Sequence, residues 1–216
     1  MGHVPHLYVP GPWREPTIEP ARESVEHLDR VLRIRSGETV SYTDGAGTVG
    51  EGIWKSPGLR RGPERSMSRS FPDLTMAVAA PRSAARQRFV VEKLAELGAR
   101  RLVWLETDFG SGHPRRPEKV RAWTIAALEQ SRGAHLLEVG DHQQWDDLDR
   151  PLYVAIPGAG ALADVAVPPS LTLAIGPEGG FAADEVPADA HPVGLGNSVL
   201  RVETAAVAAA ALLLAR

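Results

Sequence analysis

Apolar residues recur along this chain with two different periods, and the change falls near residue 73. Before it, short runs with strand character occupy residues 6–9, 39–43 and 50–54. Between the last two runs stand Thr43, Asp44, Gly45, Ala46 and Gly47, a turn signal in which Asp-Gly tolerates the positive φ of a tight hairpin. One helical stretch interrupts them: Val25, Leu28, Val31 and Leu32 repeat at helical spacing behind Ser24, read as its N-cap. Several short strands and a single helix predict a small β-barrel. Residues 57–72 are rich in Pro, Gly, Ser and Arg and read as an exposed connection with room for one short strand.

From residue 74 the texture becomes strand, helix, strand. Apolar runs at 74–80, 102–105, 152–156, 171–175 and 191–195 predict strands. Helices are predicted over 84–97, stopping at Gly98, over 117–130 with Pro117 at the start, and over 203–214. This alternation predicts an α/β fold with a mostly parallel sheet covered on both faces. The expected domains are therefore residues 1–72 and 73–216.

Composition narrows the picture by exclusion. The 216 residues are 43% hydrophobic and 24% charged, ordinary for a globular protein that builds its own core. Cysteine is absent, which removes disulfides, zinc-thiolate sites and thiol nucleophiles. The seven histidines show no ligand spacing, so no metal is expected. A formal net charge of -3 means that any contact with nucleic acid must come from local positive patches. Residues 1–12, with His3, Pro5, His6 and Pro10, lack the basic and apolar regions of a signal peptide. The longest apolar run, residues 205–215, is too short for a bilayer, which takes about 20 residues. A soluble, cytoplasmic protein without membrane contact is expected.

Two glycine-rich turns carry the candidate chemistry. The first, IGPEGGF at residues 175–181, closes a buried strand, and ligands of open α/β sheets sit at such strand ends. Gly176, Gly179 and Gly180 allow close backbone approach to a ligand. Glu178, Asp184 and Glu185 make the segment acidic, and it has neither the GKS/T ending of a phosphate loop nor the GxGxxG spacing. The second, LGNSVLRVETA at residues 195–205, leads into the last helix through Arg201, Glu203 and Thr204. By itself the first turn reads equally well as a plain connection, and for the second the plainer reading, with Arg201 and Glu203 as a surface ion pair of little energetic value, is the favoured one.

Taken together and in order, these segments resemble the RsmE branch of the SPOUT methyltransferases, which methylate N3 of a uridine in 16S rRNA. Further matches are KLAELG at 93–98, Glu129-Gln130-Ser131-Arg132, HLDRVLR at 27–33 and Asp44-Gly45, so the resemblance spans nearly the whole chain. It implies a C-terminal SPOUT-type α/β trefoil knot and a small N-terminal PUA-like β-barrel that contacts RNA. It implies S-adenosyl-L-methionine (AdoMet) as methyl donor, held by Ile156 and Pro157, by Ile175, Gly176, Pro177, Glu178, Gly179 and Gly180, and by Leu195, Gly196 and Leu200. It also implies 16S rRNA or the small ribosomal subunit as partner, and a homodimer using residues 203–216.

Methylation at uracil N3 requires removal of a weakly acidic proton and alignment of the nitrogen with the methyl group. Arg201 is the candidate for stabilising the uracil anion, with Glu203 fixing Arg201 and Glu178 favouring the cationic sulfonium. RNA phosphates call for arginines, and Arg33, Arg69, Arg82 and Arg86 are the candidates, with Arg30, Arg35, Arg60, Arg61, Arg65 and Arg88 nearby in sequence. Trp13, Trp54 and Trp123 are read as packing residues rather than base-stacking ones.

The chain departs from the family pattern at several positions. Ser198 stands where a second arginine is usual, Thr107-Asp108-Phe109-Gly110-Ser111 replaces a T-E-R-S segment, and Glu26 replaces a histidine. These positions face the RNA side of the expected chemistry, while the cofactor loops keep the family pattern. A paralogue acting on another RNA and a non-catalytic RNA-binding protein are the alternatives. A nucleotide-dependent α/β enzyme is disfavoured by the missing phosphate-loop motifs.

Overall fold

The computed structural model of the chain describes residues 4–69 and 71–215, so His3 and Arg216, both included in the readings above, lie outside the described residues. Two compact units are present. One comprises the residues up to Arg69 together with Ile125–Leu136, and the other comprises Ser70–Thr124 with Leu137–Arg216. The unit borders thus require more than a single cut near residue 72, because a segment from the middle of the chain belongs with the first unit.

The first unit is a six-stranded sheet built on one long strand. Its strands are β1 (His6–Tyr8), β2 (Thr17–Ile18), β3 (Thr39–Thr43), β4 (Thr48–Lys55), β5 (Gly58–Arg60) and β6 (Glu64–Ser66). The pairing order is β1-β3-β4-β5-β2, with β6 also on β4. Residues 48–50 of β4 pair with β6, and residues 53–55 pair with β5. Gly50 and Gly52 make this crowding possible, since a Cβ on Gly52 would lie 2.4 Å from the Arg60 carbonyl. The β3–β4 hairpin closes as its sequence predicts: Asp44 Oδ1 accepts N–H bonds from Ala46 (2.8 Å) and Thr48 (2.9 Å), and Gly45 has φ +72°.

Three expectations for this unit are corrected. No pairing joins β1 to β2 among the described residues, so the sheet is open and not a closed barrel. Three- and two-residue end strands offer too few backbone groups to close it. The helix α1 (Arg22–Glu26) starts before Ser24, with Ala21 preceding it, and widens into a π-helical turn over His27–Leu32. That wider turn shifts the apolar face, so Leu28 is fully buried while Val31 is 64% exposed. The 57–72 connection contains two strands, β5 and β6, where one was allowed for.

The second unit carries β7 (Asp73–Ala79), α2 (Ala84–Leu97), β8 (Arg101–Leu105), α3 (Pro117–Ser131, shared with the first unit from Ile125 on), β9 (Glu138–Gln143), β10 (Leu152–Ala155), β11 (Ser170–Ile175), β12 (His191–Val193) and α4 (Val202–Leu214). Its sheet is wholly parallel with the order β12-β10-β11-β7-β8-β9. The chain therefore builds outward from β7 to β9, returns to β10, and inserts β11 between β10 and β7.

Alternate residues of these strands face opposite ways. Leu74, Met76, Leu102, Trp104 and Leu173 pack with Val90, Val91 and Leu94 of α2 and with the small residues Ala206, Ala209 and Ala210 of α4. Each fully buried aliphatic side chain contributes about 1.5–3 kcal/mol. On the other face Ala77, Val103, Leu105, Leu152 and Ala174 meet Leu148, Trp145, Phe181 and Val186. Cover on both faces was expected, and both are covered, but the second is covered by a short 3-10 turn at Trp145–Asp147 and an irregular segment around residues 181–190 instead of α-helices. No helix among the described residues is long and apolar enough to cross a membrane.

Candidate active site

Three loops leave the carboxyl ends of the neighbouring strands β12, β10 and β11 and enclose a cavity of about 450 Å³. Ligands of open α/β sheets bind at this end, and the volume falls within the usual small-molecule range. Ile156, Pro157, Ile175, Gly176, Pro177, Glu178, Gly180, Leu195, Gly196 and Leu200 line it. Of the eleven residues named as cofactor contacts, Gly179 alone is not in the lining. Ala155, Phe181, Ala182, Ala183, Val186, Ser198, Val199, Val202 and Ala205 complete the wall; Phe181, Ser198, Val199, Val202 and Ala205 lie within the two turn motifs, and none of the nine is among the residues expected to hold the cofactor.

Local geometry explains the glycines. Gly180 N–H donates to the Pro177 carbonyl (2.9 Å), closing a turn in which Gly180 adopts φ +74°. A Cβ at Gly176 would lie 2.8 Å from the Phe181 ring, which itself packs edge-on against Trp145 with ring centroids 5.2 Å apart. Glu185 ties the loop to the one after β8, accepting N–H bonds from Asp108 (Oε1, 2.8 Å) and Ala182 (Oε2, 2.9 Å).

Charge is sparse in the lining, where Glu178 is the one ionisable residue. An apolar hollow with one carboxylate and bare backbone at its turns fits a cationic ligand with apolar parts. It has no cation to hold a polyphosphate.

Outside the wall, Arg86 of α2 links the loop after β11 to the first turn of α4. Its Nη1 donates to Glu178 Oε1 (3.2 Å) and its Nε lies 3.5 Å from Glu203 Oε1. The Glu203 side chain is 12% exposed, and its Oε2 is buried without a hydrogen-bond partner. Glu203 is thus turned to Arg86, where the sequence suggested Arg201. Arg201 is exposed and precedes α4, and neither it nor Glu203 is in the cavity lining. The paired Arg86 is correspondingly less available to RNA than its sequence position suggested.

The remaining arginines divide in the same way. Arg33 is exposed at φ +54°, and Arg69 is half-buried with interactions of its own. Arg82 is exposed and donates from Nε to Ser111 Oγ (2.5 Å). Arg61 is bound by Glu64 (2.7 Å), and Arg88 by Glu92 (2.7 Å). Trp54 and Trp123 are buried, as expected of packing residues.

A parallel α/β unit with glycine loops around an apolar pocket defines a class of small-ligand-binding proteins, and comparison with known proteins narrows it. Residues 69–214 match the family described as RNA methyltransferase domain. The chain therefore belongs to this RNA methyltransferase family. No curated protein matches it in sequence. Among solved structures, it is similar to a probable rRNA-methyltransferase from Porphyromonas gingivalis, with 26% identity, TM-score 0.83 and coverage of 98% of this chain and 99% of that one. It is also similar to ribosomal RNA small subunit methyltransferase E from Neisseria gonorrhoeae bound to S-adenosyl methionine, with 25% identity, TM-score 0.86 and coverage of 97% and 96%. A Legionella pneumophila structure with bound SAM shares the fold at 24% identity and TM-score 0.85, covering 99% of this chain and 98% of that one.

Proposed function

We propose that this protein is an AdoMet-dependent methyltransferase acting on N3 of a uridine in 16S rRNA of the small ribosomal subunit. The cavity between the three loops carries the cofactor half of this reading, because its lining suits a sulfonium-bearing nucleoside and the gonococcal structure of like fold is bound to that cofactor. The backbones at Gly176, Gly180 and Gly196 would hold the adenosyl and amino-acid parts, and Glu178 would complement the positive charge. Bound AdoMet supplies an electrophilic methyl group. The chain supplies orientation, exclusion of water by the apolar wall, and a free guanidinium at Arg201 to stabilise the uracil anion. Glu203 is best read as a positioning group acting through Arg86.

The rRNA half rests on the motif order and on the small-subunit enzyme among the similar structures. The same resemblance leads us to infer a trefoil knot, a PUA-like role for the first unit, a cytoplasmic location and a homodimer. The dimer is supported by α4, where Val207, Ala208, Ala211, Leu212 and Leu214 are apolar yet not fully buried. A second target RNA is favoured by one observation: Ser198, in the cavity lining, replaces an arginine usual in the resembling family.

Calorimetric titration tests the cofactor, and binding is expected to weaken when Gly196, at φ +140°, becomes valine. Mapping modified uridines in RNA from cells lacking the gene tests the target. Retention of N3-methyluridine in 16S rRNA would refute the uridine assignment while leaving the cofactor result standing.

A further inference from the structure

The loop between β8 and α3 is bound at both ends. Near β8, Glu185 holds the Asp108 N–H (2.8 Å), and Gly110 N–H closes a turn onto the Thr107 carbonyl (2.9 Å). Further along, the buried Gln87 donates to the carbonyls of Pro81 (2.6 Å) and His113 (2.9 Å) and accepts from Arg115 N–H (3.2 Å). The loop lies so close to the end of β7 that a Cβ on Gly112 would overlap the Ala80 carbonyl.

On this fixed loop Phe109 is 56% exposed. A single exposed apolar residue is ordinary. Phe109 differs in its location, because a Cβ built on Gly179 would lie 3.3 Å from the Phe109 Cβ, which places the ring beside the turn that bounds the cavity. Arg82, Arg115 and Arg116 are exposed toward the far end of the loop, with Arg115 reaching the Arg82 carbonyl (3.5 Å). Four carboxylates, Glu106, Asp108, Asp146 and Glu185, line a separate hollow near the β8 end and repel phosphate there.

We propose that this loop is a platform for single-stranded RNA, on which Phe109 stacks an unpaired base beside the cavity and Arg82, Arg115 and Arg116 hold the adjoining phosphates. The inference rests on the RNA methyltransferase reading and adds a substrate class to it: a base already out of its helix. An aromatic face accepts any unpaired base, whereas a base inside a duplex offers no free face. The separate acidic hollow repels phosphate, so the strand's charge must be carried on the guanidinium side.

The test measures binding of a fluorescein-labelled oligouridylate, and of an RNA duplex of equal length, to the full chain by fluorescence anisotropy. Phe109→Ala is expected to weaken oligouridylate binding by about fivefold or more and to leave the salt dependence unchanged, because no charge is lost. Phe109→Tyr restores binding, and Phe109→Ala leaves AdoMet affinity at the wild-type value. Arg115→Gln lowers the slope of log Kd against log salt by about 0.7. Equal binding of the oligouridylate by Phe109→Ala and wild type overturns the proposal, as it would if this face serves a protein partner. An equal loss on the duplex, or failure of Phe109→Tyr to restore, overturns it as well. Absence of AdoMet binding by the wild-type chain overturns the methyltransferase reading, and this inference with it, through a separate readout.

Discussion

The two units use polar side chains for different ends. In the first, eight buried apolar residues form the core cluster, and polar groups tie the surrounding elements together. Trp54 Nε1 donates to Asp29 (2.9 Å), and the Tyr42 hydroxyl donates to Glu64 (2.8 Å), which also receives Arg61. His6 bonds Ser41 (2.8 Å) and the Gly133 carbonyl (3.0 Å). Burial and the neighbouring Glu64 carboxylate push the Tyr42 hydroxyl up to about 12. In the second unit the sheet is packed with aliphatic, alanine and aromatic side chains, Trp104 among them, and the Arg86, Glu178 and Glu203 group stands beside the ligand cavity. Polarity ties the core elements together in the first unit, whereas in the second it anchors loops, through Gln87 and Glu185, and stands at the site.

The largest effect expected from this contrast is in the apolar unit. Trp104→Ala removes a side chain 1% exposed and is expected to cost about 3–5 kcal/mol in urea unfolding. Next comes Trp54→Phe, which keeps most of the volume but deletes a hydrogen bond to a carboxylate, and about 1.5–3 kcal/mol is expected. A negligible loss there would break the contrast by showing that the first unit, too, relies on packing alone.

Arg86→Gln sharpens the other side. It is expected to weaken AdoMet binding by about fivefold, roughly 1 kcal/mol, while the unfolding midpoint changes less. Arg86→Lys restores part of the affinity, because one ammonium cannot reproduce a two-nitrogen fork. A midpoint that falls in step with affinity would make the group a structural one.

The smallest effect is a pH dependence of the first unit. Burial, the largest cause, holds the His6 pKa below 6.5, so the unfolded chain takes up that proton first. Stability is therefore complete above 6.5 and declines as pH falls below it toward the folded-state value. Burial also raises the Glu129 pKa above 4.5, so its contribution has the opposite sign, present below 4.5 and lost as pH rises through the folded-state value. Unfolding midpoints of wild type and His6→Gln across this range separate the two, and a wild-type midpoint that stays level below 6.5 would exclude the His6 linkage.

Legibility in the sequence follows the same division. Residues 84–97 and 39–43 coincide with α2 and β3, because helical spacing ending at Gly98 and a strand next to Asp-Gly are local signals. The edge strand β9, with sequence EVGDHQ, was missed because its side chains are mostly unburied and leave no apolar period. The π-helical turn at His27–Leu32 was invisible for a related reason, since its spacing resembles an ordinary helix until Val31 is found in solvent. At the site, the glycine turns announced the cavity because backbone geometry restricts residue type. The Arg86–Glu178 pairing joins residues 92 positions apart, and nothing local in the sequence marks such a contact.

The late insertion of β11 bears on how the protein is made. Both strands that flank it, β7 and β10, are synthesised before it. During translation β7 can pair with β8 on one edge, but its other edge, rich in apolar side chains, stays unpaired until β11 emerges. An open parallel edge of this kind invites intermolecular pairing, and closing it last makes for slow folding. The nascent chain thus exposes an unpaired parallel edge until the strand that completes its ligand cavity has been made.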